Sequence, residues 1–223
     1  MKLYYTDFGV RSQGRLWMAS NVVYEDGTIQ VLDISGLLPR NVRWPRGTRG
    51  SLSYRFYPKR LVKEVIWHHT AGSVHHVGVA GPAETAGYCS RPPPKGRGYP
   101  GIPYHVYIPF APDRLTNGAL VVYLTQPLGM WTWHTAPGHN EHGVGVVWQG
   151  KMYSRHEPGE KLLPGQTGHP SHDQWTASTA VWSWLKGLYT LSNKDLHGHF
   201  EFGKIACPGD DGEAWVLKTQ GEP

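Results

Sequence analysis

HGHFEFGKIACPGD, residues 197–210, sets two histidines, a glutamate, a lysine and a cysteine within fourteen positions. These residue types hold metals and move protons. His197, His199 and Cys207 offer imidazole nitrogens and a thiolate, donors that suit zinc. Structural zinc sites usually close with four protein ligands, whereas catalytic ones use three and keep a position for water. No CxxC or CxxH pair occurs in the chain, which argues against a zinc finger. The remaining donors have to come from elsewhere.

The strands decide what can meet this cluster. VKEVIWHH (62–69), IPYHVYIPF (102–110), ALVVYLTQ (119–126) and GVGVVWQG (143–150) are apolar runs of strand length, rich in β-branched and aromatic residues. His68 and His69 end the first run. Side chains alternate along a strand, so only one of the two faces a given site. By the same alternation His197 and His199, in the short strand DLHGH, share a face and Gly198 takes the other. One histidine from 65–69, one from 197–199 and the Cys207 thiolate then make a two-His, one-Cys set with an open fourth position. Of the two cysteines, Cys89 reads as a small buried residue, and Cys207 is better used as a ligand than in a disulfide.

Helical signals alternate with these runs. GPAETAGYCS (81–90) reads as a short helix, and RPPPKGRGYPG after it is loop. The strongest helix is SHDQWTASTAVWSWLKGLYTLSN (171–193). Ser171 with Gln174 makes a capping box, and Trp175, Thr179, Trp182, Leu185 and Tyr189 recur at helical spacing as one apolar face. Strands alternating with helices point to an α/β sheet with helices packed on it. Residues 1–60 differ. LWMASNVVY and TIQVLDI read as strands, and PRNVRWPRGTRG reads as a basic linker. We expect a small β-rich N-terminal extension over 1–60 and a catalytic domain over 61–223.

Composition narrows the function. With 223 residues the chain can bury a core without disulfide staples. The net charge of +5 favours anionic partners such as nucleic acid, headgroups or wall polymers. No block of consecutive basic residues forms a nucleic-acid tail, so no nucleic acid is expected as a partner. Ten tryptophans supply indole faces suited to sugars as well as to a core. No run has the length of a membrane span and the N-terminus has no signal core. A protein without stable membrane insertion, held in the cytoplasm until released, is the expectation.

VIWHHTAG, PYHVYI, GHNEHGVGV and GHFEFGKIACPG occur in the order and rough spacing of the zinc-dependent type 2 N-acetylmuramoyl-L-alanine amidases. The chain resembles that family, which includes phage lysozyme-like amidases and the peptidoglycan recognition proteins. The resemblance covers residues 61–217 and leaves 1–60 outside it. It implies a central mixed β-sheet flanked by helices, with Zn2+ in a cleft on one face. It implies His68, His199 and Cys207 as the metal ligands, with His197 a neighbour. It places Tyr104 beside the metal-bound water and makes Lys204 the candidate for the family's catalytic lysine. Here the chain departs from the pattern, because that lysine usually lies two positions before the cysteine, where this chain has Ile205. His134, Trp133 and Asn140 fall where substrate contacts are expected.

The implied activity is hydrolysis of the amide between N-acetylmuramic acid and L-alanine in bacterial peptidoglycan. The implied protein is a monomeric bacteriophage endolysin that waits in the cytoplasm of the infected host before reaching the wall. Alternatives are a non-cutting peptidoglycan-binding module of the same fold and a cytosolic muropeptide-recycling amidase. Members that do not cut lose the cysteine, and recycling enzymes tend to carry Asp there, so Cys207 favours the endolysin.

Overall fold

The structure, a computed structural model, describes residues 8–12, 15–19, 21–41, 43, 54–57, 61–157, 161–162 and 166–221. Most of the basic linker expected over 39–50 lies outside the described residues. In chain order the elements are β1 (Phe8–Ser12), β2 (Arg15–Ala19), β3 (Asn21–Glu25), β4 (Ile29–Asp33), β5 (Arg55–Phe56), β6 (Glu64–His69), α1 (Ala80–Ser90), β7 (Val106–Ile108), β8 (Leu120–Leu124), β9 (Met130–Trp131), α2 (His139–His142), β10 (Gly143–Trp148), α3 (His172–Tyr189), β11 (Leu196–Gly198) and α4 (Asp210–Gly221). Each of the four apolar runs became a strand, and β7, β8 and β10 are buried throughout. Burial on both faces is what near-continuous apolar runs require.

Seven strands form one mixed sheet in the order β11-β6-β10-β7-β8-β4-β3. β11, β6, β10 and β7 run parallel, β8 runs antiparallel to β7, β4 is parallel to β8, and β3 returns antiparallel to β4. β1 and β2 form a separate two-stranded ribbon, and β5 pairs with β9. The N-terminal residues are therefore β-rich, as expected. The boundary at residue 60 does not, however, fall between two sheets: β3 and β4 are strands of the main sheet, and Ile29 and Val31 are fully buried in its core. The physical reason is that β8 would otherwise expose a long apolar edge, and β4 covers it.

The pleat divides the core in two. Val65, Trp67, Val144, Val146 and Trp148 face α3 and α4, with Ala177, Val181, Leu185 and Val216 packed on them. Tyr107, Tyr123 and Val147 face the other way, against Val79 and Ala86 of the α1 region. α3 begins at the predicted capping box: the Gln174 N–H donates to Ser171 Oγ at 3.1 Å, and the Ser171 N–H donates to Gln174 Oε1 at 3.1 Å. Such a cap contributes about 1 kcal/mol.

The buried face of α3 is rotated from the one the spacing predicts. Thr179 is exposed, whereas Gln174 and Ser178 are buried. Hydrogen bonds allow this. Gln174 Nε2 donates to the carbonyl of Gln149 at 3.0 Å, and the buried Trp148 indole donates to Ser178 Oγ at 2.7 Å. Satisfied polar groups can replace apolar ones inward, and Trp175 is left only partly buried. Both cysteines are free. Among the described residues no helix is long and apolar enough to cross a membrane.

Candidate metal centre

Register brings the quoted cluster to the end of β6. Leu196, His197 and Gly198 of β11 pair with Val65, Ile66 and Trp67. The next residue of each strand is His199 and His68. The two histidines thus stand side by side at the C-terminal ends of parallel strands, where open α/β sheets place their ligands. The strand ends at Gly198 because the Gly198 N–H turns to Glu201 Oε1, at 2.9 Å, and His199–Phe202 winds into a 3₁₀ turn. His197 pairs with Ile66, which lies two residues before His68 on the same face of β6, yet His197 does not join the donor cluster. His197 is taken up by carboxylates instead, with Nδ1 2.8 Å from Glu201 Oε2 and Nε2 4.0 Å from Glu64 Oε2.

His68 Nδ1 lies 3.0 Å from His199 Nδ1 and 4.0 Å from Cys207 Sγ. The three donor atoms lie within 4.8 Å of one another, and no other such group of His, Cys, Asp or Glu occurs among the described residues. Tetrahedral zinc with Zn–N near 2.0 Å and Zn–S near 2.3 Å needs donor separations of roughly 3.3–3.6 Å, so the set fits after shifts of about half an ångström. His69 faces the opposite side, where its Nδ1 accepts from the Met152 N–H at 3.1 Å. The His69 backbone N–H donates to the Cys207 sulfur.

A chain of hydrogen bonds fixes which nitrogen of His68 is bare. The Gly143 carbonyl can only accept, so His134 Nε2, 3.1 Å away, carries the proton. His134 Nδ1 then accepts, and His68 Nε2, at 3.2 Å, donates to it. With one proton per ring, His68 Nδ1 presents its lone pair to His199 and Cys207. Metal-bound histidines are oriented in this way by a partner on the far nitrogen. The His134 ring packs flat on Gly145, where a Cβ would come within 2.8 Å of its Cγ. His134 is 3% exposed. It lies behind His68 rather than in the groove where sequence reading placed it. That reading saw a histidine near the site and had no signal for which side of the ring faced solvent.

Electrostatics prepare the three groups for a cation. Burial, followed by the neighbouring histidines, holds His68 well below the ordinary imidazole range. Burial and then the Lys204 ammonium bring His199 down to about 4. Both rings are thus unprotonated at neutral pH. Burial pushes the Cys207 thiol up to about 12, so it gives up its proton only when a bound cation compensates the thiolate.

Of the other predicted residues, Tyr104 and Lys204 stand beside this centre. The Tyr104 ring centroid is 5.1 Å from that of His68, and burial, then the proximity of Cys207, raises its phenol well above the usual range. Lys204 is exposed, and its charge is felt at both His199 and Cys207. Its carbonyl accepts from the Cys207 N–H at 2.8 Å, and Ile205 in the next position is exposed to solvent. Trp133 stands edge-on between Tyr54 at 5.5 Å and Tyr99 at 5.7 Å, forming an aromatic wall. Asn140 is buried, and it staples its own loop: Oδ1 accepts from the Thr135 N–H at 2.8 Å and Nδ2 donates to the Thr135 carbonyl at 3.2 Å. Sequence reading missed Tyr54, which sits in the N-terminal segment, and His105, which is buried and accepts the Gly145 N–H at 3.0 Å. For His105 the alternation of the YH pair was the available signal, since Tyr104 facing the site sends His105 inward.

No protein-family model matches the chain, and no curated protein matches it in sequence. Solved structures do match. The N-acetylmuramoyl-L-alanine amidase LysC from Clostridium intestinale URNW superposes with a TM-score of 0.57 at 18% identity, over 87% of this chain and 100% of that one. The chain has the amidase and peptidoglycan-recognition-protein fold. The Ph2119 endolysin from Thermus scotoductus MAT2119 bacteriophage Ph2119 shares this fold with a TM-score of 0.54 at 21% identity, over 86% and 99% of the two chains. Drosophila PGRP-LB shares it with a TM-score of 0.55 at 18% identity, over 85% and 93%. A point mutant of that protein has been solved in complex with tracheal cytotoxin. In the amidase-type fold of this chain, β6 and β11 are the strands whose ends carry the histidine pair.

Proposed function

We propose that this chain is a zinc-dependent N-acetylmuramoyl-L-alanine amidase acting on bacterial peptidoglycan, a phage endolysin in its biology. The observation that carries the reading is the meeting of His68, His199 and Cys207 in a fold shared with amidases and endolysins. These three residues are the proposed ligands. Zinc held there supplies Lewis acidity and a nucleophilic water at neutral pH.

The chain's own groups do the rest. His134 holds His68 in the tautomer that leaves Nδ1 bare. Tyr104 keeps its proton at neutral pH, because burial disfavours the phenolate, and so donates a hydrogen bond to the oxygen that gains charge as the amide is attacked. Lys204 adds a positive charge at the rim of the same centre. Trp133, flanked by Tyr54 and Tyr99, offers an aromatic wall for the glycan or its peptide. The basic surface suits an anionic wall. A non-cutting binding role is less favoured, because the cysteine that non-cutting members of the family lose is present here as Cys207, beside His68 and His199.

The test is incubation of purified protein with isolated peptidoglycan, with and without a zinc chelator. New L-alanine amino groups without new reducing ends, appearing only with metal, are expected. Binding to the wall with no new ends in either case would instead leave a recognition module. Cys207→Ala, His68→Ala and His199→Ala are each expected to abolish both zinc binding and cleavage.

A further inference from the structure

Four of the ten tryptophans cluster at one place, and the proposed reaction uses none of them. Trp67 and Trp148 are fully buried on the α3/α4 face of the sheet. Trp215 of α4 packs on Trp67 with centroids 4.7 Å apart, and Trp175 of α3 packs on Trp148 at 5.0 Å. Trp175 and Trp215 lie 6.3 Å apart and are only partly buried. Together with Trp182 they line an open cleft of about 550 Å³ between α3 and α4. That volume is within the range of small-ligand sites, roughly 300–1,000 Å³. A core needs no such opening: Trp175 and Trp215 are braced from below by Trp148 and Trp67, so they hold apolar indole surface at the cleft.

The cleft also carries charge of one sign. Lys186 and Lys218 line it, and among the described residues no carboxylate does. Lys186 Nζ is held at 2.7 Å from Asn193 Oδ1, a second lining residue that can meet hydroxyl or acetamide groups. Trp67 and His68 are consecutive in β6 and point to opposite faces. The cleft therefore lies across the sheet from the candidate metal centre, and the two can be filled at once.

We propose that this cleft binds glycan strands from which the peptides have already been removed. This rests on the amidase reading, because hydrolysis of the lactyl amide leaves a free carboxylate on each N-acetylmuramic acid. A stripped strand is thus a ribbon of apolar sugar faces with regularly placed carboxylates. Indole faces take the first, and the two lysines take the second. An unstripped strand carries the same sugars, but its lactyl groups are neutral amides. The enzyme would then hold on to the strand it has cleared while its metal centre addresses the next stem.

The test uses the full chain with Cys207→Ser, so that nothing is cut, and peptide-free glycan strands as the probe. Binding is measured by co-sedimentation or calorimetry. The parent is expected to bind, and Lys186→Glu/Lys218→Glu is expected to weaken binding at least tenfold. Lys63→Glu/Lys161→Glu, which makes the same change in net charge elsewhere, is expected to stay within twofold. Should the first pair fail to fold, Lys186→Gln/Lys218→Gln is expected to weaken binding about fivefold. The proposal is overturned if the parent does not bind stripped strands. It is equally overturned if the cleft variants bind like the parent, or if the control pair loses as much as they do. The probe contains no scissile amide, so failure of the amidase reading appears only in the cleavage assay and failure of the cleft only here.

Discussion

Replacing His134 by Phe tests the tautomer chain behind the metal centre. The substitution keeps a planar ring of similar size in the slot above Gly145 and removes the acceptor 3.2 Å from His68 Nε2. His68 is fully buried, so its N–H has no water to turn to. Leaving a buried donor unpaired costs about 1–3 kcal/mol. The ring can escape that cost by moving its proton to Nδ1, but Nδ1 is the atom meant for the metal. Either route weakens zinc binding by about 10–100-fold, the usual effect of losing such a partner. Zinc affinity is read by competition with a chromophoric chelator, with circular dichroism to verify folding. His134→Asn, whose Oδ1 can stand where Nδ1 stood, is expected to recover most of the loss. Zinc affinity within twofold of wild type in His134→Phe, with a raised KM for peptidoglycan fragments, would refute the chain and return His134 to the substrate groove.

Four further outcomes are expected. Zinc binding at pH 7.5 should release about one proton, from Cys207, since both imidazoles are already unprotonated; titration in buffers of different ionisation enthalpy that found none, or two or more, would contradict this. The metal-free protein should lose stability as pH falls from about 6.5 towards 4. His199 has a folded value of about 4 against about 6.5 when unfolded, so below 6.5 the unfolded chain binds the extra proton; the loss from this group is at most about 3 kcal/mol, His68 acts in the same direction, and a melting temperature flat over that window would count against it. Tyr104→Phe should lower kcat about 10²-fold or more with zinc affinity unchanged, and equal kcat would remove Tyr104 from the reaction. Deleting residues 1–60 should prevent cooperative folding, because β4 and its buried Ile29 and Val31 go with them; a truncated chain with an unchanged melting curve would show that β8 tolerates an open edge.

The elements that were legible are those whose pattern is local. The four buried strands announce themselves as unbroken apolar runs, and the capping box at Ser171 fixes the start of α3 from two residues. Alternation along β6 required that only one of His68 and His69 reach the site, and the structure sends His68 there. Alternation could not tell that His197 would be taken up by Glu201 and Glu64 and leave His199 alone to join His68. The inward face of α3 was misread for a similar reason: periodicity sees apolarity, whereas Gln174 and Ser178 are held inside by hydrogen bonds to Gln149 and Trp148, far off in sequence.

The chain by itself determined the four buried strands, the helices α1 and α3, the donor types for a zinc-like site and the residues able to supply them. Those follow from residue chemistry and short-range periodicity. Only the tertiary structure decided that β4 completes the sheet and that His134 stands behind His68. It alone opened a cleft between α3 and α4 on the face opposite the metal centre. Each of these depends on which segments lie side by side across about 40 to 90 residues of chain, and strand register and helix docking set that, not any local pattern.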